Sequence, residues 1–183
     1  MKFLKKLLRL IVILAVLALV NRWYLGGFIK VEVKEQNMEQ QTIAYVNFIG
    51  EYNKVWSSMD KVYMALSGVG IVSYTGVGIY YDDPAIVSWA KLRSDVGAVI
   101  DPQDARKLTN DPDIKTKTLP QGNKIVAEFP MKNTFSSMVG PIIVYPAIIK
   151  YMTEKWYSHE VVMVELYDMT AKKIYYIAEI VAK

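Results

Sequence analysis

The chain of 183 residues is 52% hydrophobic and 22% charged, enough apolar content to bury one core and too much for a disordered polypeptide. It contains no cysteine, which excludes disulfides, thiolate chemistry and cysteine-ligated zinc. The net charge of +4 misleads, because Lys2, Lys5, Lys6, Arg9 and Arg22 stand in the first 24 residues without an acid; 17 basic and 18 acidic residues remain, and no basic surface for nucleic acid is expected.

Leu7 to Val20 is apolar apart from Arg9, and the uninterrupted run Leu10–Val20 is 11 residues long. A spanning helix needs roughly 20 apolar residues. Phe3, Leu4, Trp23, Tyr24, Leu25 and Phe28 extend the apolar character, and flanking Lys and Arg can snorkel. No A-x-A-like site follows the run, which disfavours a cleaved signal peptide, and residues 10–20 are apolar all round, which disfavours a surface helix. The expectation is an uncleaved signal anchor. Residues 1–27 form a transmembrane helix and its joint at Gly26-Gly27, with residues 4–25 in the bilayer. The basic excess before the run puts the N-terminus in the cytosol and the domain outside; the reverse orientation stays open.

The remainder, 28–183, reads as one domain of two similar halves, 28–101 and 114–183, joined by the Pro- and charge-rich linker 102–113. In the first half, 28–35 and 42–49 are strands, 51–66 has helical spacing, and Gly68 and Gly70 end that helix. Strands follow at 77–81 and 94–100, around a turn at Asp82-Asp83-Pro84 and a connector holding Trp89. In the second half, strands are predicted at 114–118, 124–130, 160–168 and 173–181. Pro141 and Pro146 interrupt the helical region 134–157, so the main helix is placed at 146–157. Weak echoes support a duplication: IKVEV (29–33) with IKTKT (114–118), TIAYVNF (42–48) with KIVAEFP (124–130), and IYYDDP (79–84) with ELYDMT (165–170). The fold class is therefore α+β: duplicated β-α-β-β units about a pseudo-twofold axis, with an antiparallel sheet, helices on one side and the transmembrane helix in front.

His159 is the single histidine, and no GxSxG or HExxH context surrounds it, so neither a metal nor another cofactor is expected. The glycines of SGVG and TGVG follow a helix and lack the third glycine of a nucleotide loop.

GIYYDDP (78–84) followed by KLRSDVGAVID (91–101), with TIAYVNFIGEY (42–52), resembles the GyrI-like family of small-molecule-binding domains, found also as effector-binding parts of AraC-type and MerR-type regulators. The passage YPAIIKYMTEKWYSHEVVMVELYD (145–168) resembles the family's single-pass membrane branch, which includes an animal receptor for autophagy of the endoplasmic reticulum. The resemblance implies a ligand cleft between the halves and an acidic residue on the penultimate strand facing it, here Glu165. Strand alternation places Met163, Glu165 and Tyr167 together on the open face, with Val162, Val164 and Leu166 towards the core; Ile79 and Tyr81 are matched to Glu165 and Tyr167. Tyr52, Trp56 and Trp89 complete the candidate ligand-binding set of Glu165, Tyr167, Tyr81, Tyr52, Trp56 and Trp89. An acid among rings suits a flat, apolar, often cationic molecule. Three functions are open: capture or sensing of amphipathic small molecules, hydrolysis of reactive small molecules with Glu165 as general base, and protein interaction with a partner the sequence does not name.

Overall fold

The computed structural model describes residues 2–24, 30–109, 111–133 and 135–183. The first helix, α1 (Lys2–Tyr24), exposes its apolar side chains from Leu7 to Val16 instead of docking them on the domain. No helix among the described residues is long and apolar enough to cross a membrane. The transmembrane anchor is therefore corrected, together with the bilayer contact and sidedness inferred from it. Arg9 on one side and Asn21-Arg22 on the other confine the apolar run to 11 residues, about half of what a bilayer core requires. The proposed joint at Gly26-Gly27 lies outside the described residues.

The domain follows as β1 (Val33–Met38), β2 (Gln41–Ile49), α2 (Trp56–Gly68), β3 (Thr75–Tyr80) and β4 (Arg93–Ile100), then β5 (Lys115–Leu119), β6 (Gly122–Pro130), α3 (Ser136–Glu154), β7 (Met163–Asp168) and β8 (Lys173–Glu179). All eight strands form one antiparallel sheet in the order β1-β6-β8-β7-β3-β4-β2-β5. Exchanging β1–β4 with β5–β8 turns this order into its own reverse. The centre of the sheet is thus the β3–β7 pair, where Gly78 faces Glu165. The leading strands are traded between halves: β1 pairs with β6, and β5 pairs with β2.

Helix α2 buries Met59, Val62 and Leu66, one turn apart on a single stripe, and ends where Gly70 turns left-handed (φ 72°) and donates its N–H to the Ser67 carbonyl. Helix α3 buries Ser136, Gly140, Val144, Ile148 and Met152, every fourth residue. It runs unbroken through Pro141 and Pro146, where a main helix starting only at Pro146 was expected. Proline removes one helical hydrogen bond, which strands the carbonyl four residues back. For Pro146 that carbonyl belongs to Ile142, and both residues lie on the exposed side of α3, where water can take the bond.

Both helices cover the same face of the sheet, α2 over β2 and β4, and α3 over β6 and β8. The opposite face carries Ile43, Val77, Ile79, Val126, Leu166 and Ile177, all buried without any α2 or α3 residue in their cluster. The sheet achieves this by curling. Leu119 on β5 and Ile177 on β8 line one cavity although they stand five strands apart, which in a flat sheet is about 24 Å. The helix-free face is therefore the concave one.

Candidate ligand-binding site

Glu165 sits in the middle of β7 on the helix-covered face, 2% exposed. Its cross-strand neighbours are Gly78 on β3 and Tyr176 on β8. Gly78 leaves room beside the carboxyl, and the Tyr80 ring folds into it; a Cβ at Gly78 would lie 2.7 Å from the Tyr80 hydroxyl. From α3, Tyr145 donates its O–H to Glu165 Oε1, and from the same strand Tyr167 donates to Oε2 at 2.6 Å. With that proton committed, the 3.1 Å contact between the Tyr80 and Tyr167 hydroxyls has Tyr80 as donor. Trp56 packs edge-on against Tyr167 (5.2 Å), Tyr52 against Tyr80 (4.7 Å) and Tyr145 against Tyr176 (5.6 Å). The Tyr176 hydroxyl is buried without a partner, pressed against α3 at Gly140, where a Cβ would run into it.

The acid is thus enclosed by neutral rings, and its two hydrogen bonds come from phenols. Burial pushes the Glu165 carboxyl up to about 7, and the Tyr145 and Tyr167 bonds offset only part of that cost. Burial together with the nearby Glu165 charge raises the Tyr145 and Tyr167 hydroxyls far above the ordinary tyrosine range, so they remain protonated donors.

Of the six residues singled out from the sequence, four come together here: Glu165, Tyr167, Tyr52 and Trp56. Tyr81 lies on the concave face, bonded to Asp95 (2.6 Å), and Trp89 is 62% exposed in a short 3-10 turn. Tyr80 takes the place assigned to Tyr81. Tyr80 and Tyr167 share one face of the sheet and bring their hydroxyls to 3.1 Å, whereas Tyr81 packs on the other face, so the offset of 86 read from the sequence turns its match to the wrong side. The face of Glu165 is also the helix-covered one, not the open one, and the hollow expected beside Glu165 is filled by Tyr80, Tyr145 and Tyr167. Tyr80, Tyr145 and Tyr176 escaped the sequence reading. Alternation along 174–178 gave a usable signal for Tyr176, whereas Tyr145 fell just outside the helix expected at Pro146. No group of three or more His, Cys, Asp or Glu side chains suited to a metal occurs among the described residues.

A family model for the GyrI-like small molecule binding domain matches residues 31–160. The chain belongs to the GyrI-like family. No curated protein sequence is significantly similar to it. Among solved structures, the chain is similar to the EcmrR C-terminal domain (TM-score 0.60, 8% identity, 85% of this chain and 100% of that one). It is also similar to EcmrR in an EcmrR–DNA complex (TM-score 0.58, 9% identity, 97% and 69%). A third likeness is to a hydrolase encoded by lin2189 from Listeria innocua (TM-score 0.50, 11% identity, 87% and 97%). At these identities the likeness is one of fold. The GyrI-like domain is a small-molecule-binding domain, and the match stops at the family without reaching its membrane-anchored branch.

Proposed function

We propose that this GyrI-like domain binds a flat organic cation against Glu165, for sequestration or sensing. The observation that carries the reading is a carboxyl 2% exposed, at the centre of the sheet, ringed by Tyr52, Trp56, Tyr80, Tyr145, Tyr167 and Tyr176 with no cation in contact among the described residues. Ring faces attract cations, and the Glu165 charge is compensated only when a positive group arrives. Ligand entry requires Tyr145 to leave Glu165. Tyr145 lies in α3 directly before Pro146, which has no N–H to give the Ile142 carbonyl. A thermal-shift titration with rhodamine 6G and ethidium at pH 8 tests the proposal. The expected result is saturable stabilisation by several degrees, lost in Glu165→Gln. The absence of stabilisation by planar cations, or stabilisation that survives Glu165→Gln, overturns it.

Two other readings have particular support. A carboxyl titrating near 7 suits a general base, so hydrolysis of a bound substrate is a second candidate; product formed in excess of protein, abolished in Glu165→Gln with binding retained, would establish it. The filled core around Glu165 and the exposed side chains Phe135, Met138, Ile142 and Ile149 along α3 favour protein docking as a third. Substituting Ile142 and Ile149 with Lys would abolish docking and leave dye binding unchanged.

A further inference from the structure

The concave face holds a cavity, on the opposite side of the sheet from Glu165. Its volume is about 210 Å³, and its walls are Ile79, Leu119, Val162, Val164 and Ile177, with Lys117, Tyr81 and Glu179 among its lining. This is above the roughly 150 Å³ that admits benzene and below the roughly 300 Å³ at which drug-sized sites begin, so the volume suits one compact aliphatic body or one ring.

The polar end of the cavity is built rather than accidental. Asp95 on β4 is 5% exposed and accepts three hydrogen bonds, from Asn47 Nδ2 (2.5 Å), Tyr81 Oη (2.6 Å) and Lys117 Nζ (2.5 Å). Lys117 also donates to Tyr81 at 2.8 Å and lies 4.5 Å from the centre of the Tyr45 ring. Lys115 donates to Asn47 Oδ1. Burial works against the charges of Asp95 and Lys117, but their mutual bond prevails: Asp95 is held below the usual carboxylate range and Lys117 above the usual lysine range. The bonds to Asp95 and Tyr81 favour the charged form of Lys117 and fix its position. Two of its three N–H donors are engaged, and one acid answers two lysines at this end. At the other end Glu179 is neutralised by Lys124 (2.5 Å). The unanswered charge at this end is that of Lys115, bonded to Asn47 outside the cavity lining, and within the lining Lys117 carries the one N–H donor still to be engaged.

We propose that the concave face is a second ligand site, taking a compact aliphatic or monocyclic carboxylate whose anion accepts a hydrogen bond from Lys117 and whose body lies against Ile79, Leu119, Val164 and Ile177. It is independent of Glu165, which lies on the other face of the sheet and favours the opposite charge.

The test is an NMR titration of the full ¹⁵N- and methyl-labelled chain with 4-methylpentanoate and benzoate up to millimolar concentration. Saturable shifts are expected at the methyls of Ile79, Leu119, Val164 and Ile177. Lys117→Met should weaken binding at least tenfold, Leu119→Trp should abolish it by filling the space, and Glu165→Gln should leave it unchanged. Because Lys117→Met also strips Asp95 of its cation, 4-methylpentanamide is titrated against the unaltered protein as the neutral control, with at least tenfold weaker binding expected. No saturable shift, equal binding of the amide, persistence in Leu119→Trp, or shifts centred on Glu165 would each overturn the proposal.

Discussion

Two carboxyl groups lie buried on opposite faces of one sheet and meet opposite fates. Asp95, on the concave face, is bonded to a lysine and stays ionised below the ordinary carboxylate range. Glu165, on the helix-covered face, is bonded only to tyrosines and is raised to about 7. Both accept short hydrogen bonds, so hydrogen bonding as such does not separate them. The difference is whether a full charge stands opposite: a phenol satisfies the lone pairs of a carboxylate but does not repay its desolvation, and an ammonium does both. One acid is fixed in a structural pair, and the other meets only phenols among the described residues.

The sharpest way to break this contrast is to remove the lysine. Lys117→Met leaves Asp95 buried without its countercharge and should cost about 3–4 kcal/mol at pH 7 by urea denaturation, with most of the loss recovered in Lys117→Met/Asp95→Leu. The penalty should shrink at pH 4, where Asp95 can take a proton. If it does not shrink, the charge of Asp95 is not what Lys117 compensates.

The Glu165 side should respond to pH in a defined sense. A carboxyl whose native pKa is raised keeps its proton longer in the folded chain, so its contribution is fully present below pH 4.5, declines as pH rises towards 7 and is constant beyond that. Glu165→Gln has no proton to lose and should be more stable than the parent by about 2–3 kcal/mol at pH 8, with little difference at pH 4. An unchanged difference between the two pH values would mean that folding does not shift the Glu165 carboxyl.

Packing supplies a smaller effect. Gly140→Ala drives a methyl group into the Tyr176 hydroxyl and should destabilise by about 2 kcal/mol, with Tyr176→Phe/Gly140→Ala partly relieving it. The smallest change is expected from Tyr145→Phe, which removes one donor from Glu165. It should cost about 1 kcal/mol and move the Glu165 titration, followed by its carboxyl ¹³C shift, to higher pH.

Much of the fold was legible because alternation and helical spacing are local. The strands at 42–49, 94–100 and 124–130 stand close to where the residue pattern places them, and the helix read at 51–66 is found at Trp56–Gly68 behind a short 3-10 turn. Sidedness was not legible. In β7 both faces are buried, Leu166 on one and Glu165 and Tyr167 on the other, so apolar alternation could not tell which face the helices cover. The echo between halves was too shallow to settle its register, and a slip of one residue exchanged Tyr81 for Tyr80. Helix α3 was misjudged because Pro146 breaks a buried helix but is tolerated where the orphaned carbonyl meets water. Glu165 was singled out through family resemblance and strand alternation, but the ring of tyrosines around it depends on Tyr145 and Tyr176, from elements whose approach only tertiary packing determines.

The traded leading strands carry a consequence for how such a chain can arise and fold. A polypeptide with only one half would leave β2 or β6 without its outer neighbour, since that neighbour is encoded in the other half. Two such polypeptides would have to clasp each other, each lending an arm, before either could finish its sheet. Here both lenders belong to one polypeptide, so the exchange is completed within a single molecule.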